Sequence, residues 1–70
     1  MAKAILDKVG ELPCTRMQFK KWRPDLTDVQ IKAKMTSLPS IIIDDTTEEE
    51  ANNCKKDFET CLGTSVSVKP

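Results

Sequence analysis

Residues 47–69 read TEEEANNCKKDFETCLGTSVSVK, and this stretch decides the fold. Ala51, Cys54, Phe58, Cys61 and Leu62 recur at steps of three, four, three and one, which sets them on one face of an α-helix. Thr47 followed by Glu50 is a capping-box pair, in which hydroxyl and carboxylate satisfy backbone donors that the first turn leaves without partners. Glu48, Glu49 and Glu50 lie in that first turn, where the helix dipole favours negative charge. Gly63 supplies the left-handed residue that ends the helix after Leu62. Beyond it, Thr64 to Lys69 alternates serine and valine, placing Val66 and Val68 on one face of a half-buried strand.

Working back from this unit, Ser40 to Asp44 holds Ile41, Ile42 and Ile43, a β-branched run that reads as a strand. Pro39 and the turn-forming Asp44-Asp45-Thr46 bound it. Leu26 to Leu38 reads as a helix with Thr27 as N-cap, ending before Pro39. Its apolar residues fall in two nearly opposite sets, Val29 with Ala33 and Ile31 with Met35 and Leu38, the pattern of a helix wedged between neighbours. Cys14 to Arg23 reads as a short helix stopped before Pro24. On it Arg16, Lys20 and Arg23 stand at i, i+4 and i+7, with Thr15, Phe19 and Trp22 on the adjacent flank, so a basic stripe runs beside an aromatic one. Ala2 to Val9 reads as the first strand. The order β-α-α-β-α-β predicts an α+β domain over residues 1–70, a small three-stranded antiparallel sheet with three helices on one face.

A 70-residue chain buries only about 60% of its unfolded surface, so its stability margin is modest. With 39% apolar and 31% charged residues it has globular rather than disordered composition. Eleven basic residues balance eleven acidic ones, so charge-guided recognition has to come from local patches rather than an overall field. No apolar run approaches the ~20 residues of a membrane span, and the N-terminus lacks a signal-peptide core. The expectation is a cytoplasmic protein with reduced thiols. Cys54 and Cys61, seven residues apart on one helix, stand about 10 Å apart, too far for a disulfide with each other. All three cysteines, with Cys14, read as small buried hydrophobes.

Enzyme chemistry finds little footing. The chain has no histidine, no tyrosine and only Gly10 and Gly63 for a phosphate loop, so no base and no cradle are provided. Three cysteines without a CxxC pair or histidine do not match zinc spacing, and the acidic group from Asp44 to Glu50 is explained by capping and solvation. No cofactor or metal is expected. The suggestive surface is the stripe of Arg16, Lys20 and Arg23 with Lys21 and Trp22, because Arg and Trp are enriched in interface hot spots. Its plainer reading is a solvated helix face with Trp22 in the core. The same stripe would suit phosphates, but zero net charge and the lack of an aromatic sheet platform argue against nucleic acid.

Several of these motifs together resemble the C-terminal domain of the bacterial ribosomal stalk protein. The resemblance lies in Leu38-Pro39-Ser40-Ile41-Ile42, Thr47-Glu48-Glu49-Glu50-Ala51, Lys55-Lys56, Phe58-Glu59 and Gly63 through Lys69. Gln18-Phe19-Lys20-Lys21-Trp22-Arg23 is similar to that family's Val-Ile-Lys-x-Val-Arg helix. The resemblance implies a non-catalytic domain that binds translation GTPases, elongation factors among them, through its first two helices. By motif position Lys20, Arg23 and Lys32 take the places of the family's basic residues, and Phe19 and Trp22 those of its aliphatic ones. The family's N-terminal dimerisation region and hinge have no counterpart here, so the alternative expectation is a stand-alone regulator, for example one encoded by a bacteriophage, that redirects a host machine. The fold also resembles the ClpS adaptor of bacterial proteolysis, whose recognition of N-terminal residues uses a histidine that this chain lacks.

Overall fold

The computed structural model describes all residues 1–70. It contains β1 (Ala2–Lys8), α1 (Leu12–Trp22), α2 (Asp28–Thr36), β2 (Ser40–Thr46), α3 (Glu48–Glu59) and β3 (Ser65–Lys69). The strands form one antiparallel sheet in the order β2-β1-β3. This is the expected α+β architecture in the expected β-α-α-β-α-β order.

The alternation in β1 explains why one face carries the helices. Ala2, Ala4 and Leu6 are buried, whereas Lys3 and Ile5 are half-buried and Asp7 is exposed. Inward-facing Ala2, Ala4, Leu6, Ile42 and Val66 meet Phe19 of α1, Ile31 of α2 and Ala51, Cys54 and Phe58 of α3 in a single core. Phe19 and Phe58 meet edge to face, with ring centroids 5.1 Å apart and an interplanar angle of 87°, an arrangement that adds to their area burial.

Several element ends differ from expectation, each for a local reason. The last helix stops at Glu59 rather than Leu62; Thr60 and Cys61 return their amides to Asp57 and Phe58 carbonyls, and Leu62 is left 77% exposed. Gly63 has the left-handed φ of 81°. Thr47 accepts from the Glu50 amide as its cap, but the Glu50 carboxylate does not return to the Thr47 amide, so only half of the expected capping box forms. α2 carries a complete capping box, with Thr27 Oγ1 accepting from Gln30 N and Gln30 Oε1 accepting from Thr27 N. That helix is not wedged: Ile31 is buried, while Val29 and Ala33 face solvent. β2 runs on through Asp44 and Asp45 instead of turning there, because it bulges. Ala2 pairs with Thr46, Ala4 with Ile43 and Ile5 with Ile41, giving β2 one extra residue at each of two steps. Asp45 takes a left-handed φ of 53°, with its amide donating to the Asp44 side chain, a conformation to which Asp is suited.

The cysteines require a correction. Cys14 and Cys61 form a disulfide with Cα atoms 5.6 Å apart, and only Cys54 remains a free, buried thiol. Cys61 does not share a helix with Cys54 as expected, because α3 ends at Glu59; its bond to Cys14 spans 47 residues and depends on where the start of α1 lands.

It lands beside the end of α3 because of a local polar knot. Glu11 N donates to Leu62 O at 3.1 Å, Gly10 N donates to Thr64 Oγ1 at 3.0 Å, and the buried hydroxyls of Thr15 and Thr64 stand 2.9 Å apart. Gly10 is required at this approach, since a Cβ there would lie 1.8 Å from Leu62 O.

Both rims of the sheet are met by helix or turn side chains. Arg23 Nη1 donates to Ile42 O at 2.7 Å and Lys34 Nζ to Ile41 O at 2.9 Å along β2. On β3 the Val66 amide donates to Glu59 Oε2 at 3.2 Å.

Candidate functional site

The first two helices carry five of the six residues singled out from the sequence, with Arg23 capping the end of α1, and the structure divides the six into two groups. Arg23, Lys21, Trp22 and Lys20 are engaged within the molecule. Arg23 is C-terminal to α1, where it grips Asp25 through Nε at 3.0 Å and Nη2 at 2.9 Å in addition to the Ile42 carbonyl. This fork geometry is one that Arg supplies and Lys does not. The hydrogen bond with Asp25 raises the Arg23 pKa and lowers that of Asp25.

Trp22 packs against the core and donates from Nε1 to Asp57 Oδ2 at 2.9 Å, which is how a partly buried indole satisfies its one donor. Lys21 Nζ reaches the same oxygen at 2.8 Å. These two bonds, Lys21's foremost, lower the Asp57 pKa. Lys20 pairs with Asp28 at 3.1 Å across the α1–α2 junction, and both side chains are well exposed, so the pair itself contributes little.

Arg16 and Lys32 form the second group. Neither side chain has a hydrogen-bond or ion-pair partner in the molecule. Together they flank a groove of about 400 Å³ between α1 and α2, lined also by Leu12, Asp28, Val29, Met35 and Thr36. Leu12 is 61% exposed and Val29 78% exposed, so large apolar side chains stand in water beside two unengaged cations. Aliphatic anchors between positive charges suit an apolar segment that carries carboxylates.

Leu12, Val29 and Met35 were absent from the residues first singled out. Val29's place in an apolar set opposite Ile31 was the available signal, since a helix with only one buried face leaves the opposite set in water. No three His, Cys, Asp or Glu side chains gather to hold a metal ion. Cys54, boxed in by the core, has its thiol pKa pushed up to about 12 by burial, with the Asp57 and Glu50 charges adding to the rise. It therefore stays protonated at neutral pH and is a poor nucleophile. No helix is long and apolar enough to cross a membrane. Comparison with protein-family models and with curated proteins finds no match for the chain.

Proposed function

We propose that this chain is a non-catalytic protein-interaction domain that presents the α1–α2 groove to an acidic, partly apolar surface of a partner. The observation that carries the reading is the pair of unengaged cations, Arg16 and Lys32, beside the exposed Leu12 and Val29. Such a surface steers association through its charges and holds the complex through its apolar anchors. The sequence resemblance to the ribosomal stalk C-terminal domain, whose factor-binding surface also lies on its first two helices, makes a translation GTPase the first partner to try. A cytoplasmic address belongs to the same reading.

The roles within the basic stripe are unequal in this proposal. Arg16 and Lys32 contact the partner, Lys20 contributes from the rim, and Arg23, Lys21 and Trp22 hold the helices in the position that makes the groove. The test is retention of purified bacterial elongation factors on the tagged chain, with Arg16→Glu/Lys32→Glu run beside it. Retention should fall at least tenfold in the variant and weaken steeply with salt in the parent. Unchanged retention by the variant would remove the groove from the binding surface. With a bacterial lysate applied to the same tagged chain, retention of some other host protein would favour the stand-alone regulator, and retention of nucleic acid would favour phosphate contact by the same cations.

A further inference from the structure

The groove has one fixed wall and one tethered wall. Lys32 and Met35 stand on α2, which has its own capping box and its own buried anchor, Ile31. Leu12 and Arg16 stand on the first two turns of α1, and Cys14 lies between them. This end of α1 has no side-chain N-cap and no acidic residue in its first turn. The other end of α1 is held by Phe19 in the core, by Trp22 on Asp57 and by Arg23 on β2.

What fixes the groove end is its attachment to the turn after α3: the disulfide to Cys61 and the hydrogen bonds of Gly10, Glu11 and Thr15 to Leu62 and Thr64. Cys61 is 1% exposed, whereas Cys14 is partly open to solvent. Cys14 is therefore the more accessible half of the bond, on the side of α1 turned away from Leu12 and Arg16.

We propose that the Cys14–Cys61 disulfide is a redox clamp on the α1–α2 groove. Closed, it holds Leu12 and Arg16 in the position that faces Val29 and Lys32; open, it leaves that wall mobile while the rest of the domain stays folded. Opening requires a dithiol reductant. One of its thiolates attacks Cys14 Sγ, the Sγ–Sγ bond breaks, and the electron pair leaves on Cys61 sulfur, which takes a proton. The second thiol of the reductant then displaces Cys14 as a thiolate, which is protonated in turn. The products are two protein thiols and the reductant's own disulfide, a transfer of two electrons and two protons. Paired cysteines in a reducing compartment are typically used in this transient way. The proposal rests on the docking reading for what the groove does, but the clamp is measurable without any partner.

The experiment is backbone ¹⁵N relaxation on the full chain, oxidised and then reduced with excess dithiothreitol, with a Cys54→Ala sample treated identically. On reduction, order parameters of Leu12–Arg16 and Leu62–Thr64 should fall from the rigid range near 0.85 to below about 0.6. Those of Phe19–Trp22 and of the three strands should stay rigid, with the same pattern in the Cys54→Ala sample. Uniform rigidity after reduction would show that the hydrogen bonds alone hold the wall, and loss of order throughout would show a general staple; either overturns the clamp. Failure of elongation-factor retention with a positive relaxation result would leave the clamp standing and remove only the partner.

Discussion

Asp57 is a single carboxylate holding two side chains of another helix. Its pKa is lowered because Lys21 and Trp22 donate to its ionised form, so the sign of its pH dependence follows directly. A carboxylate with a depressed folded pKa contributes stability above its unfolded pKa, and that contribution disappears as pH falls through the folded value. Trp22 is the only tryptophan and bonds to this oxygen, so its fluorescence should shift in acid, below the usual carboxylate range. In Asp57→Asn the shift should be absent at the same pH. Persistence of the full transition in that variant would assign it to a different acid. Arg23 shows why residue type matters at this scale: its fork spans Asp25 and a strand carbonyl at once, and no stripe drawn on a helical wheel distinguishes that use from an offer to a partner.

At the scale of elements, local chemistry and tertiary placement separate. The helices and strands of the second half were readable because each signal is short-range: Thr47 before Glu50, Gly63 after the helix, valines alternating in β3. α2 was the hardest helix to read, and its complete capping box accounts for its formation despite a divided apolar pattern. Thr27→Ala removes the hydroxyl that accepts from Gln30 N, and should cost about 1 kcal/mol, seen as a lower urea midpoint with an unchanged slope. A loss below a few tenths of that would mean packing of Ile31 alone sustains the helix. The groove was only half legible. Arg16 and Lys32 were visible as charges, but whether Lys20, Lys21 and Arg23 were free depended on carboxylates elsewhere: Asp28, Asp57 and Asp25. Asp57 lies 36 residues from Lys21, and no periodicity reports such a pairing. The β2 bulges were hidden for a related reason, since Asp44-Asp45 is equally good chemistry for a turn and for a bulge.

At the scale of the whole molecule, a 70-residue chain joins its first helix to the turn after its last by one covalent bond. A closed loop spanning 47 residues corresponds to about 4 kcal/mol of removed chain entropy in the unfolded state. The core of Leu6, Phe19, Ile31, Ile42 and Phe58 forms without the bond, so we expect Cys14→Ser/Cys61→Ser to lose roughly 2–3 kcal/mol in urea unfolding, with the start of α1 loosened, while the domain remains folded at 25 °C. An unfolded double variant would mean that the hydrophobic core is insufficient without the bond. The Cys14–Cys61 pairing lay beyond sequence reading because it is a property of the closed architecture: it exists only once α1 has crossed to α3, and the hydroxyl pair of Thr15 and Thr64 that marks the crossing is formed by two residues 49 apart.

The side chains along the two rims of the sheet bear on how the protein behaves in crowded company. A short sheet with bare backbone at either rim is a template on which further strands add, and the product of unchecked addition is a fibril. Here Arg23 and Lys34 occupy carbonyls of β2, and Glu59 occupies an amide of β3. An incoming strand would have to displace a charged side chain at either rim, so these three contacts oppose edge-to-edge addition of further strands.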